Sequence, residues 1–416
     1  MNWPESSNEF PLGDGRFGLA AERPSDRDSL AASVRKHVAE GAAIYPQGGR
    51  TALECGGAPA RPGIVLDLQE LNRVIDYPVA DMTITVETGM TLGALQELLG
   101  AEGQRLPLHA PFPDRATLGG IYATDTSGPS RYGLGRPRDQ ILGVAFVSSQ
   151  GELIKGGGRV VKNVAGYDFP KLLTGSYGSL GVLVELTLKT RPKPEQTAVL
   201  WTRWPIEEPL EPVLAALTTS RARPVVLELL NGTAAEAVIR ETNQGLPTSG
   251  QILVIGVEGT EEVVRWQLEV LREELASAKE LSEVRDAQAD QLLQAITTYP
   301  ATDADVSFKA SLLPSAVTRF LTEVDPSRWA AQSHAGSGIV WGLARPDVPI
   351  GKLARDIDRL RKLATSAEGN LTLPRCPTDR KAELNVWGVP RSDWELARMI
   401  KRALDPADAM NPGRFL

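Results

Sequence analysis

The sequence predicts an α+β protein of two main parts, and three observations carry that prediction. Short β-type runs separated by glycine-bearing turns fill residues 22–195. From 196 to 380, strands and amphipathic helices alternate. Between the two, Arg191-Pro192-Lys193-Pro194-Glu195 is a stiff, charged junction that few contacts should cross. An N-terminal extension, 1–21, precedes the first part and a C-terminal segment, 381–416, follows the second. At 416 residues the chain has room for two or three domains of ~150 residues each and can bury a large core. Its 39 glycines and 30 prolines come to about 17% of the chain, below the roughly 25–30% that marks low-complexity disorder. The expectation is a globular, loop-rich protein.

In the first part, Pro24-Ser25-Asp26-Arg27-Asp28 opens a helix with Ser25 as N-cap and Asp28 completing a capping-box-like pattern, and Gly41 closes it. The strand Ala42 to Tyr45 runs into the loop Pro46-Gln47-Gly48-Gly49-Arg50-Thr51 and then Cys55-Gly56-Gly57. Ile64 to Leu68 and Thr83 to Glu87 read as strands, and Thr91 caps a helix through Leu99. The block Ala116 to Pro129 is small and polar, and Ile141 to Ser148 with Glu152 to Lys155 makes a hairpin about Gln150-Gly151. Glycines at 175, 178 and 181 then precede Leu180, Val182, Val184, Leu186 and Leu188 at period two, a loop where backbone can approach a ligand followed by a strand.

In the second part, Ala198 to Trp204, Val225 to Leu230, Ile252 to Glu258, Val306 to Leu312 and Ile339 to Leu343 are strands. Helices reach Ser220, carry Val264, Leu268, Leu271 and Leu275 on one face, start at Pro314, and span Leu353 to Leu363. An antiparallel sheet with helices on one face fits this alternation. Trp266 and Trp341, at helix and strand spacing, are expected in the core.

Several function classes fall away. Net charge is −7 with both signs interspersed, so nucleic acid has no basic surface to follow. Cys55 and Cys376 are the two cysteines and have no CxxC spacing, so they build neither a zinc site nor an iron–sulfur cluster. Electrons passing through this chain would have to be taken by another protein. Met1 to Phe10 is polar and acidic and no run approaches ~18 apolar residues, so a cytoplasmic protein is expected. Gly13-Asp14-Gly15-Arg16-Phe17-Gly18 matches G-x-G-x-x-G, but no strand precedes it and no amphipathic helix starts at it, so it is not read as a dinucleotide site. The loop from Pro46 to Gly57 is better placed, leaving a strand end with successive backbone N–H groups of the kind that bind anions. Arg50 and Arg131 could pair with phosphate there, or be solvated surface charges.

The order of the loops is distinctive. It runs from Pro46-Gly48-Gly49-Thr51, through Leu66-Asp67-Leu68 and Val86-Glu87-Thr88-Gly89, to Ala116-Thr117-Leu118-Gly119-Gly120, Arg131-Tyr132-Gly133 and Gly175 to Val182. In this order the chain resembles the flavin-binding domain of the vanillyl-alcohol-oxidase and p-cresol-methylhydroxylase (PCMH) family. Within it, Arg115-Ala116-Thr117-Leu118-Gly119-Gly120, Val160-Val161-Lys162-Asn163-Val164-Ala165-Gly166-Tyr167-Asp168 and Asn411-Pro412-Gly413-Arg414 are similar to the E-type subunits of bacterial glycolate oxidases, which are glycolate dehydrogenases. The resemblance implies a PCMH-type FAD-binding domain, 22–195, an antiparallel-sheet (ferredoxin-like) cap or substrate domain, 196–380, and a C-terminal segment, 381–416, returning to the FAD domain. It implies FAD with its pyrophosphate against Pro46, Gln47, Gly48, Gly49, Arg50 and Thr51. Further contacts are implied from Ala116, Thr117, Gly119, Gly120, Thr126, Ser127, Gly128, Arg131, Tyr132, Gly175, Ser176, Gly178, Gly181, Val182 and Asn411. The implied partners are a homologous D-type FAD subunit and an iron–sulfur subunit, with membrane association only through them. The implied reaction is oxidation of a small 2-hydroxy acid, glycolate to glyoxylate.

The departures matter as much. Members that attach flavin covalently often use a histidine in or near the first loop; this loop has none, which implies dissociable FAD. D-type subunits carry metal-binding histidines in H-A-G-D-G-N-like and G-E-H-G words. Here the first reads His334-Ala335-Gly336-Ser337-Gly338 and the second Leu373-Pro374-Arg375-Cys376-Pro377, so that site is expected to be broken and no metal is expected. His37 and His109, the latter beside Pro111, add no cluster. His334 is then a hydrogen-bonding residue rather than a ligand, and it joins Arg375 and Lys381 as the catalytic candidates. Arg375 and Lys381 are candidates because they could hold a small carboxylate. Two alternatives stay open: a non-catalytic assembly or electron-relay flavoprotein subunit, and a stand-alone FAD-dependent hydroxy-acid oxidase.

Overall fold

The computed structural model describes residues 10–159, 166–206, 208–278 and 280–415; residues 1–9 of the extension and the word Val160 to Ala165 lie outside the described residues. The chain forms two compact units, one comprising the chain up to Thr126, Arg136–Lys193 and the chain from Pro390 onward, the other Ser127–Gly135 and Pro194–Val389.

The first unit contains a three-stranded parallel sheet in the order Ala20–Glu22, Gly63–Asp67, Ala43–Gln47. The helix Arg27–Ala39 supplies a connection long enough for parallel pairing. Its N-cap is Asp26, one residue later than expected, because the Asp26 carboxylate accepts the Ser29 N–H at 2.7 Å and the Ser29 hydroxyl answers as the other half of the box. Gly41 follows the helix at φ +77. A five-stranded antiparallel sheet runs Leu153–Gly157, Ile141–Val147, Val182–Lys189, Thr83–Glu87, Val74–Asp76.

The strand Val182–Lys189 corrects the period-two reading. A bulge between Leu183 and Glu185 inserts one residue, so Val182 and Val184 pack with Leu30, Val34 and Leu66, whereas Leu186 and Leu188 pack with Leu95, Leu99 and Phe146. One strand thereby feeds two cores. The helix Trp394–Leu404 rests Ile400 and Leu404 on the second of them, and Met410 inserts into the first.

The second unit is built on an eight-stranded, wholly antiparallel sheet. Its order is Leu281–Arg285, Gln196–Trp204, Gln251–Gly259, Val226–Asn231, Trp329–His334, Ile339–Ala344, Ser307–Ser311, Asn370–Arg375. Helices cover both faces, not one. Ala198, Leu200, Leu227 and Leu229 face Leu214, Leu268, Phe320 and Ile357, while the alternate residues Val199, Trp201, Val226 and Leu230 face Val238 and Leu292. The unbroken apolar runs of these strands are what burial on both faces requires. Trp266 is 45% exposed, since on its helix it points away from the buried Val264, Leu268 and Leu271. Trp341 is half-buried beneath the Lys309 ammonium, 5.2 Å from the ring centre.

The segment 127–135, expected within the first domain, belongs to this second unit: the Gly133 N–H donates to the Val225 carbonyl at 3.1 Å, and an added Cβ on Gly133 would sit 2.5 Å from Val225 Cα. Residues 381–389 likewise belong here rather than to the tail.

Phe308 anchors the larger core, with its ring 5.0 Å from Trp329 and 6.2 Å from Phe320, both edge-on. Phe308→Ala is expected to cost about 3–5 kcal/mol, read as a lower denaturant midpoint at unchanged slope. In the first unit, burial, with Arg105 adding repulsion, pushes the His109 imidazole down to about 4, and its Nδ1 is buried without a partner. A base whose folded value is depressed favours the neutral native form. The associated stability is complete above the ordinary value of 6.5 and is lost as pH falls toward 4. His109→Gln is expected to flatten the acid limb of thermal stability measured between pH 7 and 4.

Candidate functional site

In the first unit, the strand Ala43–Gln47 ends in the Gly48–Ala52 loop, which meets the Arg115–Thr117 turn almost in backbone contact. A Cβ on Gly48 would lie 2.0 Å from Thr117 Oγ1, and one on Gly49 would lie 1.6 Å from the Arg115 carbonyl oxygen. These glycines are required by one loop approaching another. Gly181 is of the same kind, its added Cβ falling 2.8 Å from the Phe146 ring and from the Val147 carbonyl oxygen.

The loop contact leaves a cleft that opens to solvent at its mouth. Pro46, Gln47, Gly48, Gly49, Arg50, Thr51, Thr117, Gly119, Gly120, Gly178, Gly181 and Asn411 line it, as does a second set that the sequence reading omitted: Leu12, Tyr45, Leu53, Cys55, Thr88, Ala123, Thr124, Tyr177, Leu183 and Arg414. Most of the omitted residues are lone side chains of ordinary type. Tyr177 and Arg414 were detectable, standing inside the same glycine-rich words. Of the other expected contacts, Ala116 and Val182 bury their side chains in the cores, and the carbonyl of buried Ser176 accepts the Ser179 hydroxyl at 2.6 Å. The Gly175 N–H donates to the Tyr122 carbonyl at 2.9 Å, and the Thr126 and Thr124 hydroxyls lie 2.6 Å apart. Ser127, Gly128, Arg131 and Tyr132 stand in the second unit.

Among the described residues, the backbone N–H groups of Gly48, Gly49, Arg50, Thr51 and Ala52 donate to no protein acceptor, and Arg50 sits at φ +57. Successive N–H groups around a left-handed residue make a concave anion nest, which suits a pyrophosphate. Arg50 adds positive charge, tethered 3.6 Å from Asp67, and its Nε and the Oε1 of buried Gln47 lack partners. Opposite, Arg414 is almost fully buried, donating to Asp14 at 2.7 Å, to the Gly57 carbonyl at 2.9 Å and to the Leu12 carbonyl. Burial pulls its guanidinium down, with Asp14 opposing. Burial also pushes the Tyr45 hydroxyl up to about 12, where it donates to the Arg61 carbonyl. An anion nest, apolar walls and unmatched polar atoms together fit a dinucleotide cofactor.

The second unit holds the buried ionisable group of chemical interest. His334 ends its strand with Nδ1 2.7 Å from Glu228 Oε1 on the neighbouring strand, and both side chains are buried. Glu228 Oε2 accepts from Gln332 Nε2 at 3.0 Å, which also donates to the Ile296 carbonyl at 3.0 Å. Burial pushes the Glu228 carboxyl up, against the pull of His334, Gln332 and Arg131. His334 Nε2 has no hydrogen-bond partner among the described residues. The helix Arg131–Leu134 packs on this corner, its Tyr132 ring 2.3 Å from where a Gly336 Cβ would stand.

Arg375 and Lys381 are not brought to His334. Arg375 lies three strands across, about 14 Å, and four residues along, about 13 Å, and it holds Asp303 and the Thr302 carbonyl, each at 3.1 Å. Lys381 is buried on the following short helix. No three His, Cys, Asp or Glu side chains converge as a ligand set among the described residues, and none of their helices is long and apolar enough to cross a membrane.

Comparison with known proteins agrees with this geometry. Residues 19–157 match the FAD binding domain model, and residues 380–415 match that of the C-terminal domain of FAD linked oxidases. The chain is 28% identical to the D-2-hydroxyglutarate dehydrogenase of Xanthomonas citri pathovar viticola, over 95% of its own length and 89% of that protein's. It is 28% identical to the mitochondrial D-lactate dehydrogenase (cytochrome) of Arabidopsis thaliana, over 90% of this chain and 69% of that one. To glycolate oxidase subunit GlcE of Escherichia coli the identity is 34%, over 41% of this chain and 49% of that one. The solved structure of alkyldihydroxyacetonephosphate synthase shares the fold, with a TM-score of 0.66 at 16% identity over 94% of this chain and 75% of that one. Fold and cavity define an FAD-dependent oxidoreductase. The chain carries the FAD binding domain and the C-terminal domain of FAD linked oxidases, and its cofactor is FAD. Gly49→Ala is expected to lower the flavin content of the purified chain roughly tenfold or more, equivalent to ~1.4 kcal/mol, measured as the ratio of visible to ultraviolet absorbance.

Proposed function

We propose that this chain oxidises a small 2-hydroxy acid, glycolate foremost, to the 2-oxo acid. We further propose that its FAD is dissociable and that its electrons leave through an iron–sulfur partner beside a D-type flavin subunit. The observation that carries the reading is the buried His334–Glu228 pair, standing beside Arg131 and Tyr132, two of the residues expected at the flavin. Glycolate is favoured by the match to a glycolate oxidase subunit, and the partner by a chain whose two cysteines cannot build a cluster.

Bound FAD supplies the two-electron acceptor for the C2–H bond. This chain's residues handle the proton. Glu228 takes the Nδ1–H of His334, which fixes the tautomer and leaves Nε2 to accept the hydroxyl proton as the C2–O bond becomes a carbonyl. Gln332 occupies the second carboxylate oxygen, so the imidazole has one orientation. Arg131, held by the Ser127 hydroxyl at 3.1 Å, offers a guanidinium for the substrate carboxylate. Arg375, committed to Asp303, is not assigned that role.

A relay role is the second reading, favoured by the replacement of the G-E-H-G word with Leu373 to Pro377. Anaerobic addition of glycolate to the isolated chain separates the two. Bleaching of the flavin bands is expected, and flavin that stays oxidised would make this a relay subunit. His334→Asn is expected to slow bleaching by about 10²–10⁴-fold, and Glu228→Gln to slow it less while displacing its pH dependence, both followed by stopped-flow absorbance.

A further inference from the structure

We propose that Lys401 and Asp405 are positioning residues for the cofactor, forming a buried latch that holds two walls of the cavity together. This rests on reading the first unit's cavity as the FAD site. Lys401, in the last turn of the helix Trp394–Leu404, is 7% exposed. Its ammonium donates to the Ser179 carbonyl at 2.9 Å, to the Met410 carbonyl at 3.0 Å and to the Asp405 carboxylate, and Asp408 lies 3.2 Å away. The three donors of a lysine are thus spent on three segments of chain. Asp405, wholly buried, also accepts the Ala409 N–H at 3.0 Å and the Met410 N–H at 2.7 Å, so the same ion pair shapes the turn that follows.

Both segments fixed in this way reach the cavity. The Ser176–Ser179 turn presents Tyr177 and Gly178; the tail presents Asn411 and Arg414. Asn411 closes the circuit, its amide donating to the Tyr177 carbonyl at 2.6 Å and its backbone N–H to the Ile44 carbonyl at 2.8 Å. Ile44 lies on the strand that runs into the Gly48–Ala52 nest. A buried ion pair is a poor way to gain stability, because desolvation offsets the attraction, whereas it fixes the relative position of three backbones closely. The plain alternative is a staple that only ties down a chain terminus.

The double variant Lys401→Met/Asp405→Asn removes both charges and keeps the shapes. Its FAD dissociation constant is expected to rise at least tenfold in a fluorescence titration, with an altered visible circular dichroism band from the flavin that remains. Arg402→Gln, at an exposed side chain next to Lys401 in sequence, is expected to bind FAD like the parent chain. Lower thermal stability with unchanged FAD affinity and dichroism would overturn the proposal in favour of a staple. Should the double variant not fold, hydrogen exchange on the parent chain decides. Added FAD is expected to slow exchange at Ala409 and Asn411, and no slowing would overturn the latch. Unchanged FAD affinity in Gly49→Ala would instead overturn the assignment of the cavity, whatever the latch variants do.

Discussion

The approach of Gly49 to the Arg115 carbonyl oxygen is the constraint on which the first unit depends. Two polar loops meet at a spacing that excludes even a methyl group, and among the described residues the N–H groups of residues 48–52 donate to no protein acceptor. Unpaired donors in a folded protein cost free energy unless something accepts from them. An anionic cofactor is the acceptor that the proposed FAD site would supply.

The same economy governs the tail. A chain terminus usually frays, but here Met410 is buried in the core beside Ile44, Asp405 gathers two backbone donors, and Arg414 is enclosed by three oxygen acceptors. Each of these polar groups is satisfied, which is the condition for burying them. The result is a cavity wall assembled from opposite ends of the chain, Leu12 and Tyr45 with Asn411 and Arg414, and held without a disulfide.

In the second unit, burial on both faces of the sheet encloses an ionisable pair. A carboxylate in the middle of such a sheet would be expelled or neutralised if it stood alone. Glu228 is kept there by the His334 ring, the Gln332 amide and the nearby Arg131 charge. The imidazole is in turn oriented by a group that cannot move. A metal ligand set is not needed to explain why this histidine is buried at the end of its strand.

Much of this protein was legible in its residues. Period two located the strand Ser307–Ser311, turn-bounded apolar runs located Thr83–Glu87 and Ile339–Ala344, Thr91 marked its helix, and the order of glycine loops carried the resemblance that implies FAD. These are local signals, carried by a few neighbouring residues. Long-range pairing is not local. The bulge that divides Val184 from Leu186, the helices on the second face of the large sheet, the transfer of 127–135 to the second unit, the separation of Arg375 from His334 and the pairing of His334 with Glu228 all depend on which strand lies beside which. The sequence by itself determined the elements, because turn chemistry and hydrophobic period act over a few residues, and the order of its loops carried the resemblance that implies FAD. Only the tertiary structure decided which side chains meet, because register and burial are set by partners distant in sequence, Glu228 lying 106 residues from His334.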